Sequence, residues 1–300
     1  MKLLLWHLLS LLLASVSTDP VRAGIIHVGS AQPFTTIQAG FGAAANGDTI
    51  QIDDGLYNFA STFFVNKQVT FQATNIGGAV VSGGGFGPDD AVFFLQANSS
   101  YIGLKLMNAT HGLYQRDSFV NGRVQNCIIT GVTEAIGINN SGATLGNFDV
   151  FNSTIVGVST GIGMNDGGTI NVTNSIFANV GTVYVAHNNI LINPDHNLLF
   201  NFTNLSGMTS SGHIANDPAQ LIGDPKFVNS AGGDFHLLAG SPAIDTGKDV
   251  GLPFLGAAPD RGAFEFSASG NPSVPEPATL VLLTVGVATL TIRRVRPISK

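Results

Sequence analysis

Four stretches of the chain align with one another: GLKLMNATHGL (103–113), NCIITGVTEAI (126–136), NSTIVGVSTGI (152–162) and NSIFANVGTVY (174–184). Their starting positions recur at the regular interval that is typical of solenoids, in which each repeat forms one coil. A leucine-rich horseshoe would show a regular leucine pattern, and a propeller would need longer, four-stranded blades. The chain shows neither, so the alignment predicts stacked β-coils.

The aligned positions separate into turn residues and interior residues. Five residues after each start stand residue types that tolerate a left-handed backbone: Asn108, Gly131, Gly157 and Asn179. Six and ten residues after each start stand apolar residues: Ala109, Val132, Val158 and Val180, then Leu113, Ile136, Ile162 and Tyr184. Coils stacked about 4.8 Å apart would pair every strand and bury these side chains in one interior. The sequence therefore predicts an all-β, single-stranded parallel β-helix.

Asparagines begin three of the repeats. Asn126, Asn152 and Asn174 are starts, and Asn197 follows one further repeat along the chain. We expect their amides to hydrogen-bond from coil to coil as an asparagine ladder, which is a structural role.

The N-terminal part predicts a capping helix. Thr36 is a suitable N-cap for a helix over residues 37–45, which Asn46 and Gly47 would end before a strand at 49–52. A helix here would protect the first strand edge. The motifs TIQA (36–39), GDTI (47–50) and GLY (55–57) are similar to the opening of pectate-lyase-like proteins, and the segment 224–265 resembles the last coils of bacterial β-helix proteins. The resemblance implies a right-handed β-helix and says little about activity.

The N-terminus predicts export. Lys2, an apolar run over residues 3–14 and small residues to Ser17 form a secretory signal peptide over residues 1–17, with cleavage as late as Ala23. A buried helix is the alternative, but Thr18-Asp19-Pro20 would break it at a length too short to span a bilayer. The β-helix domain is predicted over residues 24–266.

Composition limits the partners and the redox chemistry. Between residues 18 and 275, eight Lys and Arg stand against eighteen Asp and Glu, a formal charge of −10 that disfavours nucleic acid. Cys127 is the only cysteine, so no intramolecular disulfide can form. Its apolar neighbours predict a buried side chain rather than a nucleophile.

The C-terminus predicts a sorting signal. A flexible linker (267–274) leads to Pro275-Glu276-Pro277, an apolar helix over residues 278–292, and a basic end that includes Arg293 and Arg294. This order resembles the PEP-CTERM signal of Gram-negative exopolysaccharide producers (275–296). The resemblance implies that an exosortase removes the tail after transient anchoring in the inner membrane, and that the protein reaches the outer surface or the matrix. Fifteen apolar residues are few for a permanent span.

Two rows of polar residues are the candidate binding surface. Thirteen and fourteen residues after each start stand Arg116, Asn139, Asn165 and His187, then Asp117, Asn140, Asp166 and Asn188. Regularly spaced polar groups on the side of a β-helix can match a linear glycan. The alternative is that Asn and Asp simply form the turns, which select these residue types.

The chain gives little sign of catalysis. Asp117 and Asp166, two coils apart at about 9.6 Å, would lie at the outer edge of the carboxylate separation of inverting glycosidases. Pairs such as Asp89-Asp90 and His111-Gly112 resemble polygalacturonase motifs, but their order and spacing differ. GGFGPD (84–89) matches one unit of a Ca²⁺-binding repeat, without the second copy that would complete a site. We assign no catalytic residue, metal or cofactor, with Ca²⁺ left open.

The sequence thus predicts an exported β-helix protein of the cell surface or extracellular matrix, non-catalytic and associated with exopolysaccharide. The alternative is a polysaccharide lyase or glycoside hydrolase acting on an extracellular glycan. The expected partners are an exosortase and an extracellular polysaccharide.

Overall fold

Two parallel β-sheets run along the molecule, and neighbouring strands in each sheet come from successive coils. The computed structural model describes residues 23–116, 120–139, 146–208 and 212–268. Over these residues the chain winds into a parallel β-solenoid of about eight turns with very little helix. The prediction of an all-β solenoid is confirmed.

The first sheet has nine short strands, and each step from one strand to the next is one turn of the solenoid. In spatial order they are β1 (Ile25–Val28), β2 (Thr49–Ile52), β5 (Val69–Ala73), β8 (Ser99–Ile102), β11 (Gly122–Gln125), β14 (Asn147–Phe151), β16 (Gly168–Thr173), β18 (Ile190–Asp195) and β20 (His213–Ile214). Apolar and polar residues alternate in these strands, as β2 shows with Ile50 and Ile52 buried. The sheet therefore has one buried face and one face toward solvent.

The second sheet has twelve strands and turns a corner of the solenoid. Its strands are β3 (Gly55–Asn58), β4 (Phe63–Val65), β6 (Ala79–Ser82), β7 (Ala91–Leu95), β9 (Lys105–Met107), β10 (Ala109–Arg116), β12 (Ile128–Thr130), β13 (Val132–Asn139), β15 (Thr154–Asn165), β17 (Ile176–Ala186), β19 (Leu198–Met208) and β21 (Leu221–Ile222). The long strand β15 pairs with both β12 and β13. Two strands of the early coils thus become one bent strand in the later coils.

The predicted corner residues all adopt the left-handed backbone. At the corner that begins each repeat, φ is 69° at Gly103, 52° at Asn126, 43° at Asn152 and 52° at Asn174. At the corner five residues later, φ is 60° at Asn108, 62° at Gly131, 69° at Gly157 and 55° at Asn179. Only Gly, Asn and Asp adopt this conformation at low cost, so the residue types at these positions are explained by the corners themselves.

The predicted interior stacks are also confirmed. Ala109 lies in register with Val132, and Leu113 with Ile136, which in turn lies over Ile162. All of these side chains are buried in one continuous core. In the first coils the core contains aromatic rings, with Phe71, Phe93 and Tyr101 within 5.5 Å of one another between ring centroids. Buried Cys127 belongs to this core, and burial raises the pKa of its thiol to about 12, so the thiol stays protonated and unreactive.

The asparagine ladder forms between two of its predicted members. Nδ2 of Asn174 donates to Oδ1 of Asn152 at 3.2 Å, and both side chains are buried. The prediction that Asn197 is the next member of this ladder is wrong by one position. The left-handed residue of that coil is its neighbour His196, and Oδ1 of Asn197 instead accepts from the backbone N of Ser175 at 2.9 Å.

A short helix and a returning segment cover parts of the solenoid. Helix α1 (Ile37–Ala43) begins after its N-cap Thr36, whose hydroxyl accepts from the backbone N of Ala39 at 3.2 Å, and it packs on β1 and β2. The predicted capping helix is therefore present, two residues shorter than expected. After the last coil come the antiparallel strands β22 (Phe227–Asn229) and β23 (Asp234–Leu237), joined by the 3₁₀ turn Ser230–Gly232.

Residues 238–266, here called the C-terminal strap, run back across the coils. Buried Arg261 donates from Nη1 to the carbonyl oxygens of Asn197 and Ala219 at 2.8 and 2.9 Å. The next residue, Gly262, donates its N–H to the carbonyl oxygen of Asn174 at 2.7 Å, one coil earlier. Ala263 then donates to Oγ1 of Thr154 at 2.9 Å, one coil earlier again. The strap therefore ties successive coils together.

Two carboxylates lie close together in this strap. Glu265 accepts from the backbone N of Leu255 at 3.2 Å and of Asp260 at 3.1 Å. Burial, and then the neighbouring Asp260 charge, raise the pKa of Glu265 to about 7. Burial also raises the pKa of Asp260. Near neutral pH this pair therefore opposes folding.

The predicted signal peptide (1–17), most of the linker (267–274) and the sorting signal (275–296) with its helix lie outside the described residues. Within the described ranges, no helix has the length and apolar character needed to cross a membrane.

Replacing Gly157 by Ala isolates the backbone requirement of a corner, because a Cβ at Gly157 would meet no atom within 4 Å. We expect Gly157→Ala to lower the free energy of unfolding by about 1–2 kcal/mol, the cost of a left-handed alanine. Gly157→Asn should cost less, since Asn occupies the same corner in other coils. Gly42→Ala, at an equally open site inside α1, should stabilise by up to about 1 kcal/mol. Urea denaturation measures all three, and equal effects of Ala and Asn at position 157 would contradict the explanation.

Replacing Glu265 by Gln should stabilise the protein in a pH-dependent way. The folded state holds the Glu265 proton more tightly than the unfolded state, so this group favours folding most below pH 4.5 and loses that contribution as pH rises toward 7. We expect Glu265→Gln to raise the free energy of unfolding at pH 8 by about 1 kcal/mol after allowance for solvent screening. Denaturation across this pH range checks the prediction. A gain of the same size at pH 4.5 would mean that the charge is not responsible.

Candidate functional site

Three of the predicted ladder residues lie in one row on the outer face of the twelve-stranded sheet. Arg116 ends β10 in register with Asn139 at the end of β13, which is in register with Asn165 at the end of β15. Nδ2 of Asn165 donates to Oδ1 of Asn139 at 3.4 Å. An amide has two donor hydrogens and two acceptor sites on its oxygen, so this bond leaves both side chains further hydrogen-bonding capacity.

The fourth rung differs from the prediction, which placed His187 there. Nδ2 of Asn188 donates to Oδ1 of Asn165 at 3.4 Å, so Asn188 continues the row. The reason is local, because β17 ends at Ala186 and Asn188 and Asn189 both adopt left-handed turns. Arg116, Asn139, Asn165 and Asn188 are here called the outer ladder.

Of the second predicted row, the structure describes Asp166 and Asn188, and both are left-handed turn residues. Asp166 is a left-handed turn residue with φ of 63°, followed by Gly167, whose N–H donates to the carbonyl oxygen of Asn188 at 3.0 Å. The turn-forming explanation therefore accounts for Asp166. Asp117 and Asn140 lie outside the described residues, and with them the proposed pair of Asp117 and Asp166.

Beside the outer ladder lies a cluster of ionisable residues that the sequence analysis did not assemble. Nδ1 of His111 is 2.9 Å from Oε2 of Glu134, and its Nε2 is 3.0 Å from the carbonyl oxygen of Pro88. The first contact has the length of an ion pair but not the alignment of a hydrogen bond. The His111 ring also stacks on Tyr114, with 4.2 Å between ring centroids.

Two glycines make room for this cluster. A Cβ on Gly163 would stand 1.7 Å from Oε1 of Glu134, and one on Gly137 would stand 2.5 Å from Oε2. The Glu134 side chain therefore lies flat over its own strand β13 and over β15 of the next coil, and its carboxylate contacts His111 of the preceding coil. The glycines at these positions are required by close approach of a side chain rather than by a turn.

Tyr114 connects the cluster to the outer ladder. Its hydroxyl donates to Oδ1 of Asp89 at 3.3 Å, and the other oxygen of Asp89 pairs with Arg116. Burial raises the pKa of Tyr114, and the negative charge of Asp89 raises it further. The hydrogen bond with Asn139 lowers the pKa, but it does not outweigh burial. Tyr114 therefore remains a neutral hydrogen-bond donor at physiological pH.

An aromatic row, exposed at Phe64 and buried at Tyr114, adjoins the same face. Phe64, Phe94 and Tyr114 are in register on three successive coils, with 5.1 Å between the first two ring centroids and 5.4 Å between the last two. Phe64 is 51% exposed. An apolar ring at the surface beside polar rungs is the combination that sugars contact, since they present C–H groups on one face and hydroxyls at the edge.

The cluster could have been found from its spacing. One period of the repeat separates His111 from Glu134, so they had to lie on neighbouring coils. The sequence pointed to Asp89 only as part of the Asp89-Asp90 pair. Its contact with Arg116 depends on the loop before β7, so spacing could not reveal it.

In the described part of the chain, no three His, Cys, Asp or Glu side chains are arranged to hold a metal ion. Asp90, directly after the single match to a Ca²⁺-binding repeat, accepts hydrogen bonds from the N–H of Gly87 at 2.7 Å and the hydroxyl of Thr62 at 3.1 Å.

Residues 273–296 match the family model of the PEP-CTERM protein-sorting motif. The motif implies an exported protein that is processed by an exosortase in a Gram-negative bacterium, as the sequence analysis predicted. It covers a small part of the chain and does not describe the solenoid. No curated protein sequence matches the chain.

Solved structures with some likeness include two polysaccharide lyases. Pectate lyase Pel9A is 16% identical, with a TM-score of 0.33 over 81% of this chain and 96% of the lyase. An alginate lyase from Paenibacillus sp. str. FPU-7 is 14% identical, with a TM-score of 0.39 over 66% of this chain and 97% of the lyase. Neither score supports an argument about function.

Replacing Gly163 by Ala should displace Glu134 without altering any charged residue. We expect Gly163→Ala to lower the free energy of unfolding by about 1–2 kcal/mol through loss of the contact with His111. Gly207→Ala is the matched control two coils further along the same row, where a Cβ would meet Val185 at an ordinary 3.6 Å. The cost of Gly163→Ala should disappear in a Glu134→Ala background, which a double-mutant cycle by denaturation measures. Additive effects would show that the clash is not with Glu134.

Proposed function

We propose that this protein binds a linear extracellular polysaccharide along the outer ladder and the neighbouring aromatic row, without cleaving it, after export and sorting. The observation that carries the proposal is the in-register outer ladder, whose amides repeat once per coil along the solenoid axis. Successive coils are about 4.8 Å apart, close to the advance per sugar in an extended polysaccharide. One face can therefore present the same donor and acceptor to successive sugars.

The charges of this face suit a neutral or weakly acidic glycan. Arg116 forms an ion pair with Asp89, so one of the two acidic groups of the face is neutralised by its neighbour, and Glu134 lies against His111. This balance matters because the solenoid as a whole is strongly acidic. Phe64 and Phe94 would stack on sugar faces while the outer ladder binds hydroxyls.

The route to the surface forms part of the proposal. We infer a signal peptide over residues 1–17, cleaved as late as Ala23, a domain over residues 24–266 and a linker over 267–274. The apolar helix 278–292 would hold the chain in the inner membrane, with Arg293 and Arg294 on the cytoplasmic side, until an exosortase recognises Pro275-Glu276-Pro277 and removes the tail. We also infer right-handed winding, as parallel crossover connections require.

Binding is tested with residues 24–266, which contain every buried core residue of the described part. We expect saturable binding to a neutral or weakly acidic polysaccharide, weakened about tenfold by Asn165→Ala through loss of ligand hydrogen bonds. Arg116→Ala should also weaken it. Asn201→Gly is the matched control, because it removes an exposed ladder amide at another corner and keeps the left-handed turn. Isothermal calorimetry with and without Ca²⁺ measures these affinities. Binding unchanged in both site variants would contradict the proposed surface.

A second candidate function, glycan cleavage, is favoured by one observation, the cluster of His111, Glu134, Tyr114, Asp89 and Arg116. Such groups could transfer protons, but His111 and Tyr114 are only 7% and 5% exposed, so the loop at residues 83–90 would have to open. Reducing-end and unsaturated-product assays on the same glycans distinguish the two functions. Turnover that Glu134→Gln abolishes would establish an enzyme and overturn the non-catalytic proposal.

A further inference from the structure

The outer face of the nine-stranded sheet carries a second polar surface, separate from the outer ladder. Two open cavities of about 440 and 520 Å³ lie on it, and both are lined by Asp149. The first extends from Gly47 through Arg123 to Asp149, and the second from Asp149 to Asn193 and Lys248. Together they form one groove parallel to the solenoid axis.

A single row of polar side chains forms the floor of this groove. Its members are in register on six successive coils: Thr70, Ser100, Arg123, Asp149, Asn171 and Asn193. Nδ2 of Asn171 donates to Oδ1 of Asp149 at 2.8 Å, and Nδ2 of Asn193 donates to Oδ1 of Asn171 at 3.1 Å. These bonds are shorter than those of the outer ladder, so this row holds its polar groups in more fixed positions.

Asparagines along the first cavity add donors at its edge. Oδ1 of Asn98 accepts from the backbone N of Asn121 at 2.7 Å, and Oδ1 of Asn121 accepts from the backbone N of Asn147 at 2.8 Å. Because each of these oxygens accepts a hydrogen bond from the next coil, the amide nitrogen is the group of each side chain that can donate to a ligand. The edge of the first cavity therefore carries amide N–H donors on two successive coils, those of Asn98 and Asn121.

The groove contains both charge signs and one aromatic ring. Arg123 lies 5.1 Å above the Phe151 ring and donates to Oε1 of Gln125 at 3.1 Å. Lys248 of the strap donates to Oδ2 of Asp195 at 2.7 Å. Burial raises the pKa of Asp195, but the hydrogen bonds from Lys248 and His196 outweigh it, so the pKa is lowered and the pair stays charged. Balanced charges and repeated amides suit the same class of ligand as the outer ladder.

We propose that this groove is a second binding site for a linear polysaccharide, so that each molecule joins two glycan chains. The inference rests on the proposed function, and it adds cross-linking to it. The two sites are on the outer faces of different sheets and both run along the solenoid axis, so two chains can be bound at once. A bivalent molecule forms a network with a long polymer even when each site binds weakly.

The test compares short and long glycans that residues 24–266 bind. With oligosaccharides, calorimetry should give two sites per molecule for the unchanged protein and one for either double variant, Arg116→Ala/Asn165→Ala or Arg123→Ala/Asn171→Ala. With the long polymer, viscosity and light scattering should pass through a maximum as protein is added to it, because excess protein occupies each site on a different molecule. Both variants should still bind and should lose that maximum.

The possible failures are distinguishable. One site in the unchanged protein, abolished by Arg116→Ala/Asn165→Ala, would overturn the second site and leave the proposed function standing. Absence of binding to every glycan would overturn both. A viscosity maximum that persists in Arg123→Ala/Asn171→Ala would assign the cross-linking to self-association of the protein and would also overturn the second site.

Discussion

The structure depends on the pairing of each strand with the same strand of the next coil, in parallel and in register. This pairing satisfies the backbone of every coil through its neighbours and places each side chain over its equivalent one coil away. Equivalent residues of successive coils therefore form rows on both faces of each sheet. Inside, the rows are apolar and form one core from Val28 to Leu199. Outside, they are polar and form the outer ladder and the groove of the nine-stranded sheet.

The corners let the coils remain in register although their lengths differ. Left-handed residues at Asn152 and Asn174, and at Gly157 and Asn179, turn the chain at the same place in each coil. Additional residues between coils are then accommodated outside these corners. Asparagine has a second use there, because its amide can bond to the next coil, as Asn174 does with Asn152. Gly has no such bond, and is used where the corner needs only the backbone conformation.

Close packing of side chains shapes the outer polar surfaces, and in the C-terminal strap it also has a cost in stability. Glu134 reaches His111 only because Gly137 and Gly163 leave its path open. The C-terminal strap closes the coils with buried Arg261, and it also brings Asp260 and Glu265 together at a cost near neutral pH. A protein with one cysteine and few charges thus relies on packing and backbone bonds for stability. The result is a long polar face on the outside of each of the two large sheets.

The sequence by itself determined the solenoid, its corners and its interior, because a repeat of nearly constant length places equivalent residues in the same environment. It also determined the sorting motif, which is a local signal that needs no fold. The tertiary structure alone decided which polar residues meet. In two turns the structure differs from the prediction by one residue. Asn188 takes the place in the outer ladder that was predicted for His187, and His196 takes the left-handed corner that was predicted for Asn197. Spacing along the sequence cannot resolve such shifts. The contact of Asp89 with Arg116 and the path of the strap depend on loops that do not repeat, and non-repeating segments are positioned only by the surface against which they pack.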